Sequence, residues 1–173
     1  MKQCGCSLMV LLLSGCAATN TLSQMPLAQG QAYLAPLHVT VNDLKRASTL
    51  RNDLRETGVF SAIEADVGSE EDYSVHVQME VKRQYPPYPL VLLSSATLFL
   101  LPLSREVGTD AEFTVSQGRK VLKRYRYRNN TQKYTFLLDM GAEVDVQNLN
   151  RIAHAFAHDV QQDHLIPVAG TTR

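Results

Sequence analysis

Two histidines near the carboxyl end have the spacing of metal ligands. His154 and His158 lie four residues apart, so a helix would place both imidazoles on one face. Helical zinc motifs of this kind carry a glutamate directly after the first histidine, where this sequence has Ala155. Structural zinc sites also use cysteine, and the three cysteines all lie within the first 16 residues. We therefore expect no metal site, and we interpret the pair as part of a solvated helix face.

The sequence gives little support for a catalytic nucleophile. Ser94 and Ser95 lie in an apolar run without the Gly-x-Ser-x-Gly frame that exposes a hydrolase serine at a strand-to-helix turn. The sequence contains no phosphate-binding loop and no dinucleotide fingerprint. We therefore expect a protein that is not an enzyme and that uses no catalytic cofactor.

Basic residues are concentrated in one short segment. Residues 119–133 hold seven of the 17 lysines and arginines. The period-two spacing of Arg124, Arg126 and Arg128 predicts one face of a strand. Since arginine forks match phosphate geometry, we expect an anionic ligand, such as a lipid headgroup, to contact Arg119, Lys123, Arg124, Arg126 and Arg128. The alternative is an exposed strand that uses its cations to prevent edge pairing.

A run of 14 residues, 90–103, has no charged side chain. As a helix it would be about 20 Å long, which is shorter than the ~30 Å hydrocarbon core of a bilayer. Two interpretations remain open: a buried element that fills the core, or an exposed apolar element that contacts a membrane or a partner. In the second interpretation, the contact residues are Leu90, Leu92, Leu93, Leu98, Phe99, Leu100 and Leu101.

The amino terminus has the organisation of a secretory signal. Lys2 supplies a positive charge, residues 7–13 form an apolar segment, and the small residues Ser14 and Gly15 precede Cys16. Such a segment is too short to span a bilayer. Cleavage before Cys16 would leave no other cysteine in the mature chain, which excludes disulfides and cysteine-ligated metals there.

The segment Leu13-Ser14-Gly15-Cys16 resembles the lipobox of bacterial lipoproteins. The resemblance implies that Cys16 becomes the first mature residue and carries a diacylglyceryl group and an N-linked acyl chain. Several acyl chains anchor a protein stably, whereas one binds only marginally. Ala17, rather than aspartate, follows the cysteine, which by the same resemblance implies the periplasmic face of the outer membrane. That compartment excludes nucleic acid as a partner.

The rest of the chain is expected to form a single domain. We assign residues 1–15 to the signal peptide, 16–36 to the lipidated cysteine and a flexible tether, 37–166 to the domain with an apolar insertion at 85–103, and 167–173 to a tail. The tether assignment depends on the uncharged, Ala-, Thr-, Ser- and Gln-rich composition of the segment.

Periodicity predicts the elements of this domain. Alternating apolar and polar residues predict strands at 37–41, 59–67, 73–82, 111–116 and 120–128. One helix is predicted from the apolar stripe Leu44, Ala47, Leu50 and Leu54, and another from Leu149, Ile152, Ala153, Phe156 and Val160. The order predicts an α+β domain with a mainly antiparallel sheet and two helices packed on one face.

The mature part resembles small proteobacterial envelope lipoproteins, in which an apolar run precedes a hairpin rich in tyrosine and basic residues. Leu101-Pro102 and Lys123-Arg124-Tyr125-Arg126-Tyr127 carry this resemblance. We expect a non-catalytic lipid-anchored protein that binds an envelope protein or lipid at the outer membrane and helps to assemble or maintain a complex. The alternative is a lipid-handling accessory lipoprotein whose apolar element, 90–103, shields an acyl chain.

Overall fold

The computed structural model describes residues 19–27, 30–97, 103–135 and 142–170. The elements in this part of the chain are β1 (Thr19–Asn20), β2 (Leu37–Val41), α1 (Leu44–Glu56), β3 (Ile63–Glu64), β4 (Tyr73–Gln84), α2 (Tyr88–Ala96), β5 (Leu103–Gln117), β6 (Lys120–Thr135) and α3 (Ala142–Asp163). The strands form one sheet in the order β1-β6-β5-β4-β2-β3. The expected α+β class is confirmed, with a third helix inside the apolar insertion.

The sheet is mixed: most of its pairing is antiparallel, as expected from the sequence, but β2 adds parallel pairing that was not expected. β1, β6, β5 and β4 pair antiparallel with one another in that order, whereas β2 pairs parallel with both β3 and β4. The physical reason is the connection through α1, because a helix between two strands returns the chain in its original direction.

α1 and α3 pack side by side on one face of the sheet, as expected. α1 lies over β2 and β3, and α3 lies over β5 and β6. All five predicted stripe residues of α3 are buried, but in α1 Leu44 is 85% exposed. Leu44 is the first residue of the helix, and at this position the side chain lies in solvent rather than against the sheet. The Asp43 side chain caps this helix by accepting a hydrogen bond from the Lys45 amide at 3.0 Å.

An aromatic cluster fills the space between α3 and the sheet. The fully buried ring of Phe156 stacks on Phe113 with centroids 4.4 Å apart. It also meets the edge of Tyr125 at 5.6 Å and lies against Phe60 at 6.3 Å. Such pairs add to the stabilisation from area burial. Phe156 therefore connects three regions of the chain in one core.

Several strand limits and one facing pattern differ from the prediction. β3 has only two residues, whereas β5 begins at Leu103, earlier than expected. A bulge between Val115 and Ser116 shifts the pairing, so that Val115 faces Lys123 and Ser116 faces Val121. The alternation predicted for residues 120–128 is interrupted there, because the bulge turns Leu122 towards the core and exposes Val121.

The segment predicted as a tether is part of the domain where the structure describes it. β1 pairs with β6, and the Leu22 amide donates to Asn129 Oδ1 at 2.9 Å. Leu34 forms isolated β-bridges with Phe60 and Val168, and the Ala169 amide donates to the Tyr33 carbonyl. The described part of the predicted tail at 167–173 is therefore also attached to the domain. The reason is that β6 presents an edge with unpaired backbone groups, which the uncharged segment can satisfy.

Candidate functional site

The apolar helix α2 exposes its leucines. Leu90, Leu92 and Leu93 are 52%, 52% and 53% exposed, whereas the small polar Ser94 is 1% exposed. A surface helix of a globular domain normally has the reverse arrangement, with its apolar stripe towards the core. Pro87 and Pro89 start the helix, since a proline ring fixes φ near its helical value. Of the two interpretations of 90–103, the exposed element therefore describes α2.

The surroundings of α2 are rich in tyrosine, and one charged residue, Glu106 of β5, lies among them. Tyr88, the first residue of α2, is exposed, as are Tyr85 just before the helix and Tyr134 of β6 across from it. A groove of about 360 Å³ runs between them and is lined in part by Leu90, Leu93 and Leu103. No charged residue occurs in 85–97. Within the described ranges, no helix combines the length and apolarity needed to cross a membrane.

Some predicted contacts lie outside the described residues. These are the lipidation site Cys16 and four of the apolar contacts, Leu98, Phe99, Leu100 and Leu101. Their assignments stay predictions from the sequence.

Three of the predicted anion contacts share the outer face of the sheet, which is the face opposite α1 and α3. Arg126 donates from Nε to Glu112 Oε2 at 2.6 Å, and Arg128 donates to Asp110. Both acids lie on β5 directly opposite their arginines. Arg124 has no ion-pair partner in the part of the chain that the structure describes. The outer face therefore carries paired charges of both signs rather than a basic patch.

The other two predicted anion contacts lie elsewhere. Lys123 is on the helix side of β6, where its Nζ lies 2.6 Å from Asp163 Oδ2. Arg119 lies at the β5–β6 turn, 3.7 Å from Glu70. The five residues therefore do not form one site. A groove of about 680 Å³ on the outer face is lined by Arg126 and Arg128, but also by Glu80, Asp110 and Glu112.

A charged cluster around His38 was missed in the sequence analysis. His38 is buried on β2, its Nδ1 contacts the Asp66 carboxylate and lies 3.6 Å from Glu64 Oε2, and its Nε2 lies 3.6 Å from Asp72 Oδ2. The hydrogen bond to His38 holds the pKa of Asp66 below its ordinary value. The sequence contains no signal for it, because the parallel pairing of β2 with β3, which sets His38 directly opposite Glu64, is visible only in the structure.

The cluster has the chemistry of an ion pair and of a possible ligand set. One ligand atom each from His38, Glu64 and Asp66 lies within 4.8 Å of the others. Imidazole and carboxylate are ligands that zinc accepts. Both carboxylates are exposed, however, and the hydrogen bond to the imidazole is sufficient to explain exposed acids beside a histidine.

Packing at this cluster predicts a large difference between two glycine substitutions. Gly58 and Gly68 both have a left-handed φ, of 64° and 70°, but a Cβ at Gly58 meets nothing within 4 Å, while one at Gly68 would lie 2.8 Å from His38 Cδ2. We expect Gly58→Ala to lower the free energy of unfolding by about 1–2 kcal/mol and Gly68→Ala by about 2–4 kcal/mol. Urea unfolding of both variants measures the difference. Equal losses would mean that the His38 ring is not held against Gly68.

Comparison with known proteins adds information on the fold. No protein-family model matches this chain, and no curated protein matches its sequence. Rare lipoprotein B from Shewanella oneidensis is 13% identical over 75% of this chain and 92% of that chain, with a TM-score of 0.41. A minor lipoprotein from Acinetobacter baumannii is 13% identical over 80% of this chain and 98% of that chain, with a TM-score of 0.50. The latter similarity shows that the fold of this chain also occurs in a bacterial lipoprotein.

Proposed function

We propose that this protein is a non-catalytic, lipid-anchored envelope protein that binds a protein partner or lipid at the periplasmic face of the outer membrane. The observation that carries the proposal is Leu13-Ser14-Gly15-Cys16 at the end of a short apolar segment. Cys16 would carry diacylglyceryl and N-acyl chains, which together hold a protein on a membrane stably. The role that follows is to assemble or maintain an envelope complex.

The engagement of the titratable groups in the described ranges supports a non-catalytic role. The hydroxyls of Tyr125 and Tyr127 donate to Asp163 at 2.5 Å and to Asp159 at 2.7 Å. Burial and these hydrogen bonds raise the pKa of both tyrosines far above its ordinary value, so neither supplies a phenolate base. These bonds attach α3 to β6.

One histidine of the pair on α3, His158, also has a packing partner. His158 Nδ1 donates to the Pro26 carbonyl at 2.8 Å, which attaches the amino-terminal segment to α3. This contact gives His158 a role in packing. It is consistent with the interpretation of His154 and His158 as a helix surface rather than a metal site.

Substitution of the cysteines tests the anchor. We expect Cys16→Ala to abolish acylation and remove the protein from the outer-membrane fraction, because the thioether cannot form. Cys4→Ala and Cys6→Ala are matched controls, since both residues belong to the signal and should leave acylation unchanged. Intact mass spectrometry and density-gradient fractionation give the readouts. Normal fractionation of Cys16→Ala, or a purified chain that still begins at Met1, would contradict the proposal.

The groove beside α2 bears on the alternative of a lipid-handling protein. Its volume of about 360 Å³ is near the lower limit of ordinary ligand pockets, which measure roughly 300–1,000 Å³. Such a groove is small for shielding a whole acyl chain, and the leucines of α2 are displayed on the surface around it. The geometry therefore favours a contact surface over a carrier cavity.

A further inference from the structure

The amino-terminal strand and α2 lie at the same end of the sheet. Asn20 pairs with Thr131 and Thr19 with Gln132, so β1 is antiparallel to β6 and its first residue points towards the Thr135 end of β6. That end of β6 pairs with the start of β5, and α2 is the element that precedes β5. Tyr134, which lines the groove beside α2, is two residues from Gln132, or about 7 Å along the strand.

The distance from this point to Cys16 is short. Three residue steps separate Cys16 from Thr19, and they reach at most about 10 Å. Because β1 is hydrogen-bonded into the sheet, an acylated Cys16 would hold this end of the domain against the bilayer. The anchor therefore selects which surface of the domain faces lipid.

The surface at that end has the chemistry of a membrane interface. Apolar side chains that enter the boundary between headgroups and acyl chains gain free energy from their buried area. The leucines of α2 are exposed there, while the one buried side chain of the helix is Ser94. Tyrosine is the residue type that settles at the headgroup level, and Tyr85, Tyr88 and Tyr134 are exposed around these leucines.

We propose that α2 is a second membrane contact, in which Leu90, Leu92 and Leu93 enter the leaflet that holds the Cys16 lipid. The inference rests on the proposed acylation of Cys16. The two contacts fix the orientation of the domain, because the β5–β6 turn lies at the opposite end of a 15-residue strand, about 45 Å away. The turn and its Arg119 then face away from the membrane, where they are accessible to a protein partner.

Depth-dependent fluorescence on the full acylated protein tests this orientation. The mature chain would have no free thiol, so Leu92→Cys can be labelled uniquely with a nitrobenzoxadiazole fluorophore. Arg119→Cys, at a side chain that is 95% exposed, is the matched control at the far end. Both proteins are reconstituted into vesicles of phosphatidylethanolamine and phosphatidylglycerol with lipid-borne nitroxide quenchers. We expect loss of emission at Leu92→Cys and none at Arg119→Cys.

Flotation of the same samples separates the possible outcomes. Protein that floats with the vesicles but shows no quenching at Leu92→Cys would overturn the membrane contact and leave the lipid anchor standing. Protein that does not float would overturn both proposals. Leu90→Cys gives a second labelled position on the same helix, so that a local effect of one label cannot produce the result by itself.

Discussion

Phe156→Ala is expected to lower the free energy of unfolding by about 3–5 kcal/mol. The Phe156 side chain is fully buried, and its ring contacts those of Phe60, Phe113 and Tyr125. These neighbours belong to a loop and two strands that are fixed by backbone hydrogen bonds, so the site cannot collapse onto the missing ring. A domain is typically stable by about 5–15 kcal/mol, so the loss would be a large part of the total.

Two controls separate the cavity from the loss of an aromatic ring. Phe156→Leu keeps most of the volume, and we expect it to cost less than Phe156→Ala by about 2 kcal/mol. Tyr88→Ala removes an exposed ring of α2 and should change the free energy by no more than about 0.5 kcal/mol. Urea unfolding followed by circular dichroism measures all three. If Phe156→Ala cost no more than Tyr88→Ala, the aromatic cluster would not be the core of this domain.

Asp53→Asn is expected to stabilise the protein at neutral pH by about 1–3 kcal/mol. Asp53 is 5% exposed on α1, and its Oδ2 has no hydrogen-bond partner among the described residues. Burial raises the pKa of its carboxyl from 3.8 to about 6, although a hydrogen bond with Asn150 opposes the shift. The folded state therefore prefers the neutral acid, which asparagine imitates.

The sign of the pH dependence follows from the raised pKa. The stability associated with protonated Asp53 is fully present below its unfolded pKa of 3.8 and is lost as the pH rises through about 6. In Asp53→Asn this loss should disappear, so the two proteins should differ most above about pH 6 and least near pH 4. Urea unfolding at several pH values measures the difference. Parallel pH profiles would show that Asp53 is solvated in the folded protein.

Asp66→Asn is the matched control with the opposite sign. Its pKa is lowered by the hydrogen bond to His38, so the stability that it contributes is present above its unfolded pKa and is lost as the pH falls. Its substitution should remove stability at neutral pH, where Asp53→Asn adds stability. Comparison of the two variants thus separates the effect of a buried acid, Asp53, on stability from that of an exposed acid, Asp66, that is hydrogen-bonded to a histidine.

Features that depend on local periodicity could be predicted from the sequence. The stripe of α3 and the alternation of β4 are present as expected, because each depends on residues only a few positions apart. The placement of Arg124, Arg126 and Arg128 on one strand face follows from the same rule. These local patterns were enough to establish an α+β domain.

Features that depend on distant parts of the chain could be decided only by the tertiary structure. The bulge that exposes Val121, the parallel pairing of β2 and the attachment of 19–22 to β6 each require a partner more than 20 residues away or a change in register that no local pattern records. The contact between His38 and Asp66 has the same origin.

The apolar segment 90–103 shows most clearly what the sequence could not determine. The sequence by itself determined that residues 90–103 are uncharged and too short to span a bilayer. It could not assign α2 to the core or to the surface, because a segment that is apolar on all sides has no periodicity to orient it. The tertiary structure decided this, since α1 and α3 already cover the apolar face of the sheet and leave α2 at its end, with its leucines exposed.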